Sequence, residues 1–139
     1  PVHTDRDGSL EDDGDRNSEA LSRARRLVTL ANLDGSGYLR GRWVDATLTR
    51  NPAISATLDW SGVNRGNRAF EQVMAYYHID RLQAHLQALG VTGANERVQE
   101  IDARGLKADN SYFDPYHHRI RLGTGGVDDG EDADIIRPF

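Results

Sequence analysis

Cysteine is absent from the 139 residues of the chain, which excludes a disulfide framework and any thiolate metal site. Long apolar runs are absent too: no stretch approaches the roughly 18 residues of a membrane span, so a membrane partner is not predicted. Aromatic residues make up 7% and all apolar residues 37%. We therefore expect one domain with a modest core. No signal-peptide pattern occurs at Pro1, which indicates a cytosolic chain or a mature or excised piece of a secreted protein.

Positive charge is also scarce. The chain has 17 Lys and Arg against 22 Asp and Glu, a net charge of −5. Binding to phosphate groups requires a basic surface, so nucleic acid is not a predicted partner. Glycine, in contrast, is plentiful at 14 residues, which predicts a domain rich in loops.

The first 19 residues, PVHTDRDGSLEDDGDRNSE, carry seven acidic and almost no apolar residues. This composition predicts an irregular acidic lead-in before a domain at 20–139. A calcium loop starting at Asp5 is disfavoured. Leu10 stands where such a loop needs glycine, and Arg16 stands where it needs glutamate.

The next pattern indicates a hairpin. Strand-forming residues precede the turn dipeptide Asp34-Gly35, and a loosely alternating segment follows it. We expect strands near 26–32 and 37–45. A cation-binding loop at 32–37 is the functional alternative.

A long helix is predicted over 67–90, with Asn67 as its amino-terminal cap and Gly90 just after its end. Its apolar residues cover a wide arc rather than one stripe, which indicates two packing partners. His78 and His85 lie seven positions apart, whereas paired metal ligands on a helix usually lie three or four apart. They are interpreted as polar edges of the packed face.

Strands are predicted after the helix. Residues 98–103 alternate, with Gln99, Ile101 and Ala103 on one face. An extended piece follows at 109–116, and a further strand at 117–122. His117 and His118 would point to opposite faces of that strand, which disfavours a metal pair.

The end of the chain is rich in acidic residues. Five acids fall within 128–134, and Ile135 and Ile136 follow them. Acids in a first turn favour the positive end of the helix dipole, so this pattern predicts the start of a helix. Only about ten residues are available, which is marginal for an isolated helix.

Three motifs, FEQVMAYYHIDR, DNSYF and RLGTGGVDDGEDADII, follow one another along the chain. Together they resemble bacterial thermolysin-like and fungalysin-like zinc metallopeptidases, and the segment DGSGYLRGRWVD resembles the same family. The similarity covers about residues 25–137. It implies an α+β fold in which a twisted, mostly antiparallel sheet packs on one long helix. Residues 20–139 would be the amino-terminal half of a thermolysin-like unit, truncated at the start of the active-site helix.

The resemblance also implies sites. It places Asn110, Ser111 and Tyr112 on an edge strand that binds an extended peptide substrate through its backbone. Asp134 matches an acid that helps to bind calcium in the thermolysin group. The neighbouring acids either join it in a calcium site or form only a helix-start cluster: Asp128, Asp129 and Glu131.

One departure from the family pattern concerns the zinc site. In the family, the acidic motif is followed by one residue and then His-Glu-x-x-His, but here Arg137 is followed by Pro138 and Phe139. A catalytic zinc needs three protein ligands and a neighbouring base. Zinc is therefore expected in the intact parent and not on this chain, which should not hydrolyse peptides alone. The missing carboxyl-terminal half is an expected partner.

The sequence thus predicts a portion of a secreted zinc metalloendopeptidase that supplies the substrate-binding edge strand. Secretion is implied by the resemblance alone. The alternative is a non-catalytic peptide- or protein-binding module, with or without stabilisation by calcium. A third hypothesis is a fragment of the fold without activity of its own.

Overall fold

The structure is a computed structural model, and it describes residues 1–3, 19–93 and 95–124. Its elements are β1 (Val2–His3), α1 (Glu19–Ala24), β2 (Arg25–Arg26), β3 (Val44–Asp45), α2 (Arg68–Ala88), β4 (Gln99–Leu106), β5 (Tyr112–Asp114) and β6 (Arg119–Gly123).

The main sheet has four strands in the order β3-β4-β6-β5. The long helix α2 packs against it, so the predicted α+β class with a sheet on one long helix is confirmed. The strand directions correct the expectation of a mostly antiparallel sheet. β4 runs parallel to both β3 and β6, and only β5 runs antiparallel to its neighbour. The segment between β4 and β6 includes β5 and is long enough for a crossover, which parallel neighbours require.

The predicted long helix is confirmed as α2. Asn67 caps it, because its side chain accepts a hydrogen bond from the backbone N–H of Ala69 at 2.9 Å. Gly90 follows the end with a φ of 73°, a conformation that suits glycine. The first half of the helix is buried almost all round, but Leu82 and Leu89 near its end are exposed. Those two leucines therefore do not extend the packed face as the wide apolar arc had predicted.

The core lies between α2 and one face of the sheet. Ile101 and Ala103 of β4 and Leu122 of β6 belong to the same buried cluster as Phe70 and Met74 of the helix. The alternation predicted for β4 is confirmed, since Gln99, Ile101 and Ala103 are buried. The other face of β4 and β6 carries charged side chains.

The predicted hairpin is wrong in its extent. Residues 27–32 are irregular, and pairing around the Asp34-Gly35 turn is reduced to a bridge between Leu33 and Gly41. Backbone groups that would pair the two strands of a hairpin form hydrogen bonds with other parts of the protein instead. For example, the carbonyl of Ala31 accepts a hydrogen bond from the Tyr76 hydroxyl at 2.8 Å.

The turn itself is held by the Asp34 carboxylate. It accepts hydrogen bonds from the backbone N–H of Ser36 at 2.9 Å and from Nε of Arg40 at 2.6 Å. Hydrogen bonds from Ser36 and Arg40 lower the pKa of Asp34 to about 2. These contacts favour a structural turn over the cation-binding alternative.

The first three residues differ from the predicted irregular lead-in, because they include a short strand. Val2 and His3 pair with Arg26 and Arg25, and Val2 is fully buried in the core. Val2 is apolar and packs next to α2, which explains why the strand forms here. The acidic stretch at 4–18 lies outside the described residues, so its irregularity stays a prediction.

Candidate peptide-binding edge

Strand β5 forms one edge of the main sheet. Tyr112, Phe113 and Asp114 pair with β6, and no strand in the described ranges pairs with their other side. The side chains of Tyr112 and Phe113 are 41% and 47% exposed. Asn110 and Ser111 lie directly before the strand and are exposed. The structure thus brings the three predicted residues together at an edge, although only Tyr112 belongs to the strand itself.

A close backbone contact positions this segment. A Cβ atom at Gly123 would lie 2.3 Å from the carbonyl oxygen of Ala108 and 2.6 Å from that of Asn110. The hydroxyl of Ser111 accepts a hydrogen bond from the N–H of Gly123 at 3.2 Å. Residues 108–111 therefore cross directly over the end of β6, which requires glycine there.

A hydrogen-bonded turn joins β5 to β6. The carboxylate of Asp114 accepts from the backbone N–H groups of Tyr116 at 3.0 Å and His117 at 3.2 Å. It also contacts Nδ1 of His117 at 2.7 Å. The predicted strand at 117–122 is shortened accordingly, since His117 and His118 lie in the turn. Both are exposed, and His118 has a φ of 53°, which regular strand pairing does not allow.

The turn makes a pH-dependent contribution to stability. The hydrogen bond with the His117 side chain, followed by the backbone N–H bonds, lowers the pKa of Asp114 below its ordinary 3.8. A lowered folded-state pKa gives stability that is present above the ordinary value and is lost as the pH falls through the lowered one. We expect Asp114→Asn to lower the melting temperature by a few degrees at pH 7.

The same substitution should have progressively less effect as the solution is acidified, because the unchanged protein then also loses its charge at Asp114. Thermal unfolding of both proteins from pH 7 to pH 2 measures this. A difference in melting temperature that is constant over the whole range would contradict the role given to the carboxylate.

The two faces of the edge differ in character. Phe113 lies opposite Ile120, and its ring centroid is 6.5 Å from that of His118. Tyr112 lies opposite Arg121, on the face that points away from the helix. Because side chains alternate along a strand, a peptide added here would meet an apolar side and a charged side.

The described residues do not provide a metal site. Among them, no group of three or more His, Cys, Asp or Glu side chains could hold an ion. They therefore do not fit the zinc of the resembled family. The predicted calcium residues lie outside the described ranges, so calcium binding stays a prediction: Asp128, Asp129, Glu131 and Asp134.

Two features were missed by the sequence reasoning. Glu71 and Arg104 form an ion pair in the interior, with 2.7 Å between Oε1 and Nη1. Arg121 lies beside the edge strand without a carboxylate partner in the part of the chain that the structure describes.

The structure also has a groove, which is formed by other parts of the chain than the sheet edge. It is an open groove beside Trp60, which we call the Trp60 groove, and its apolar lining includes Leu27, Val28, Leu33, Leu58 and Trp60. None of the predicted site residues lines it.

Comparisons with known proteins give no family assignment: no protein-family model, no curated protein and no solved structure matches the chain. None of the helices in the described ranges is both long and apolar enough to cross a membrane.

Proposed function

We propose that the chain binds extended peptides along the outer side of β5. In this proposal it is the substrate-binding portion of a secreted zinc metalloendopeptidase, whose zinc site belongs to a part of the protein that these residues do not provide. The exposed strand edge at Tyr112, next to Asn110 and Ser111, is the observation that supports it.

Strand addition has a direct physical basis. An edge strand presents backbone N–H and C=O groups that an extended peptide can pair with. The edge of β5 is only three residues long. Few backbone hydrogen bonds can form along it, so this chain alone should bind peptide weakly. In an intact peptidase, further contacts from the remaining half would add to the affinity.

A second candidate is a peptide- or protein-binding module without catalysis. The same strand edge supports it, because pairing with a peptide needs no metal. Supplying the carboxyl-terminal half of a related peptidase as a separate chain distinguishes the two. Hydrolysis that requires zinc and is stopped by a chelator favours the peptidase; binding without hydrolysis favours the module.

Backbone-methylated peptides test the proposed binding mode without changing the protein. The probe is a blocked peptide of about eight Thr and Val residues, prepared with N-methyl groups on alternate residues and, separately, on every residue. In a β-strand, alternate residues direct their N–H groups toward the same neighbour. A peptide methylated on alternate residues therefore keeps one edge free and is expected to bind, whereas methylation of every residue should abolish binding, as measured by calorimetry.

The unmethylated peptide and its scrambled sequence serve as controls, and both should bind because backbone pairing does not depend on the order of side chains. Binding that survives methylation of every residue would contradict pairing with the edge, because the peptide would then bind through its side chains.

A further inference from the structure

Arg121 is a charged residue on the sheet face beside the proposed peptide site. It is partly buried, and its Nε atom is buried and has no hydrogen-bond partner among the residues that the structure describes. Its stem packs against the backbone of β4, since a Cβ atom at Gly105 would lie 2.8 Å from Cβ of Arg121. This arginine is therefore held in place by packing while its charge has no carboxylate within ion-pair distance in the described residues.

The neighbouring arginine on the same strand and face shows the contrast. Arg119 donates from Nη2 to Oε2 of Glu100 at 3.0 Å, so its charge is balanced within the sheet. The residue at the corresponding position beside Arg121 is Asp102, also an acid. However, Oδ1 of Asp102 accepts from the backbone N–H of Arg104 at 3.2 Å, and no ion pair to Arg121 forms.

The sheet register aligns Arg121 with the free edge. Asp102, Arg121 and Tyr112 lie side by side on β4, β6 and β5, and their side chains share one face. If a peptide pairs with β5, one of its residues lies beside Tyr112 and continues this row of side chains on the same face. Adjacent strands are about 4.8 Å apart, so that residue would lie about 10 Å from the backbone of Arg121. An arginine and a glutamate side chain that both extend across the same face are together long enough to span that distance.

From this arrangement we infer that Arg121 selects peptides that carry an acidic side chain in the row of Tyr112. The inference depends on the proposed function, because it assumes that peptide pairs with β5. A carboxylate there would receive charge-assisted hydrogen bonds from a guanidinium on the same face of the sheet that has no carboxylate partner among the described residues. A lysine at the same peptide position would be repelled.

The test compares three blocked Thr/Val peptides of about eight residues that differ only at one central position: Glu, Gln or Lys. We expect the Glu peptide to bind about tenfold more tightly than the Gln peptide, in the range of hydrogen bonds to charged groups. The Lys peptide should bind more weakly than the Gln peptide. Added salt should reduce the preference, because it screens the interaction.

Substitutions then assign the preference to one residue. Arg121→Gln should bind the Glu and Gln peptides equally, and Arg121→Lys should retain part of the preference because it keeps the charge without the planar fork. The matched control is the double variant Glu100→Gln with Arg119→Gln, which removes the balanced pair and leaves the net charge unchanged. It should keep the full preference.

The outcomes separate the inference from the proposed function. If all three peptides bind the unchanged protein equally, or if the preference survives in Arg121→Gln, Arg121 has no selecting role while peptide binding stands. If no peptide binds, both fail. If Arg121→Gln does not fold, the Arg121→Lys variant and the salt dependence in the unchanged protein decide.

Discussion

Replacing Gly41 by alanine is expected to destabilise the protein by about 3 kcal/mol or more, at or beyond the upper end of overpacking costs. A Cβ atom at this position would lie 2.0 Å from the carbonyl oxygen of Asn32 and 2.5 Å from the Tyr76 hydroxyl. Neither group can easily move. The carbonyl of Asn32 accepts from Arg42 N–H at 3.0 Å, and Tyr76 is fully buried in α2.

Gly62→Ala is the matched control, because a Cβ atom there has no neighbour within 4 Å. Urea unfolding of both variants measures the difference in free energy. A Gly41→Ala protein as stable as Gly62→Ala would show that the loop at 32–41 does not pack on α2 as described.

The second large effect concerns the buried ion pair. Arg104→Met is expected to cost about 3–5 kcal/mol, because it removes a cation from a carboxylate that stays buried. Glu71 is 1% exposed and lies in the first turns of α2, so its carboxylate is screened little by solvent. The pair joins the helix to β4, so its loss also loosens the packing between helix and sheet.

Arg23→Met provides the control, since Arg23 and Glu19 form an exposed pair on α1. Such surface pairs contribute no more than about 1 kcal/mol. Adding Glu71→Gln to Arg104→Met should recover part of the lost stability by removing the buried charge. No recovery in the double variant would mean that the cost of Arg104→Met is due to lost packing and not to the buried charge of Glu71.

Local patterns were sufficient to predict α2 and β4. Asn67 and Gly90 mark the ends of the helix by their local chemistry, and the alternation over 98–103 divides these residues between two faces without any distant contact. These signals depend only on neighbours in the chain.

The hairpin and the strand directions depended on contacts between distant residues. Tyr76 and Asp80 of the helix bind Ala31 and Asn32, and this draws the chain out of the predicted first strand. Likewise, the close approach of Asn110 to Gly123 sends the chain past the end of β6 and makes β5 the edge. Neither contact follows from local periodicity.

The candidate site was predictable only in part. The resemblance assigned Asn110, Ser111 and Tyr112 to an edge strand, and the structure has Tyr112 in such a strand and the other two directly before it. Arg121 was not among the predicted site residues. That no acid in the described ranges pairs with it became visible only in three dimensions, when Glu100 proved to pair with Arg119.

The most direct test of peptide addition to β5 is an NMR titration of the isotope-labelled chain with the blocked Thr/Val peptide. We predict chemical-shift changes centred on residues 110–114 and slower exchange of the amides in Tyr112–Asp114 that gain a partner. Changes confined to the Trp60 groove, with the amides of β5 unaffected, would contradict the proposal.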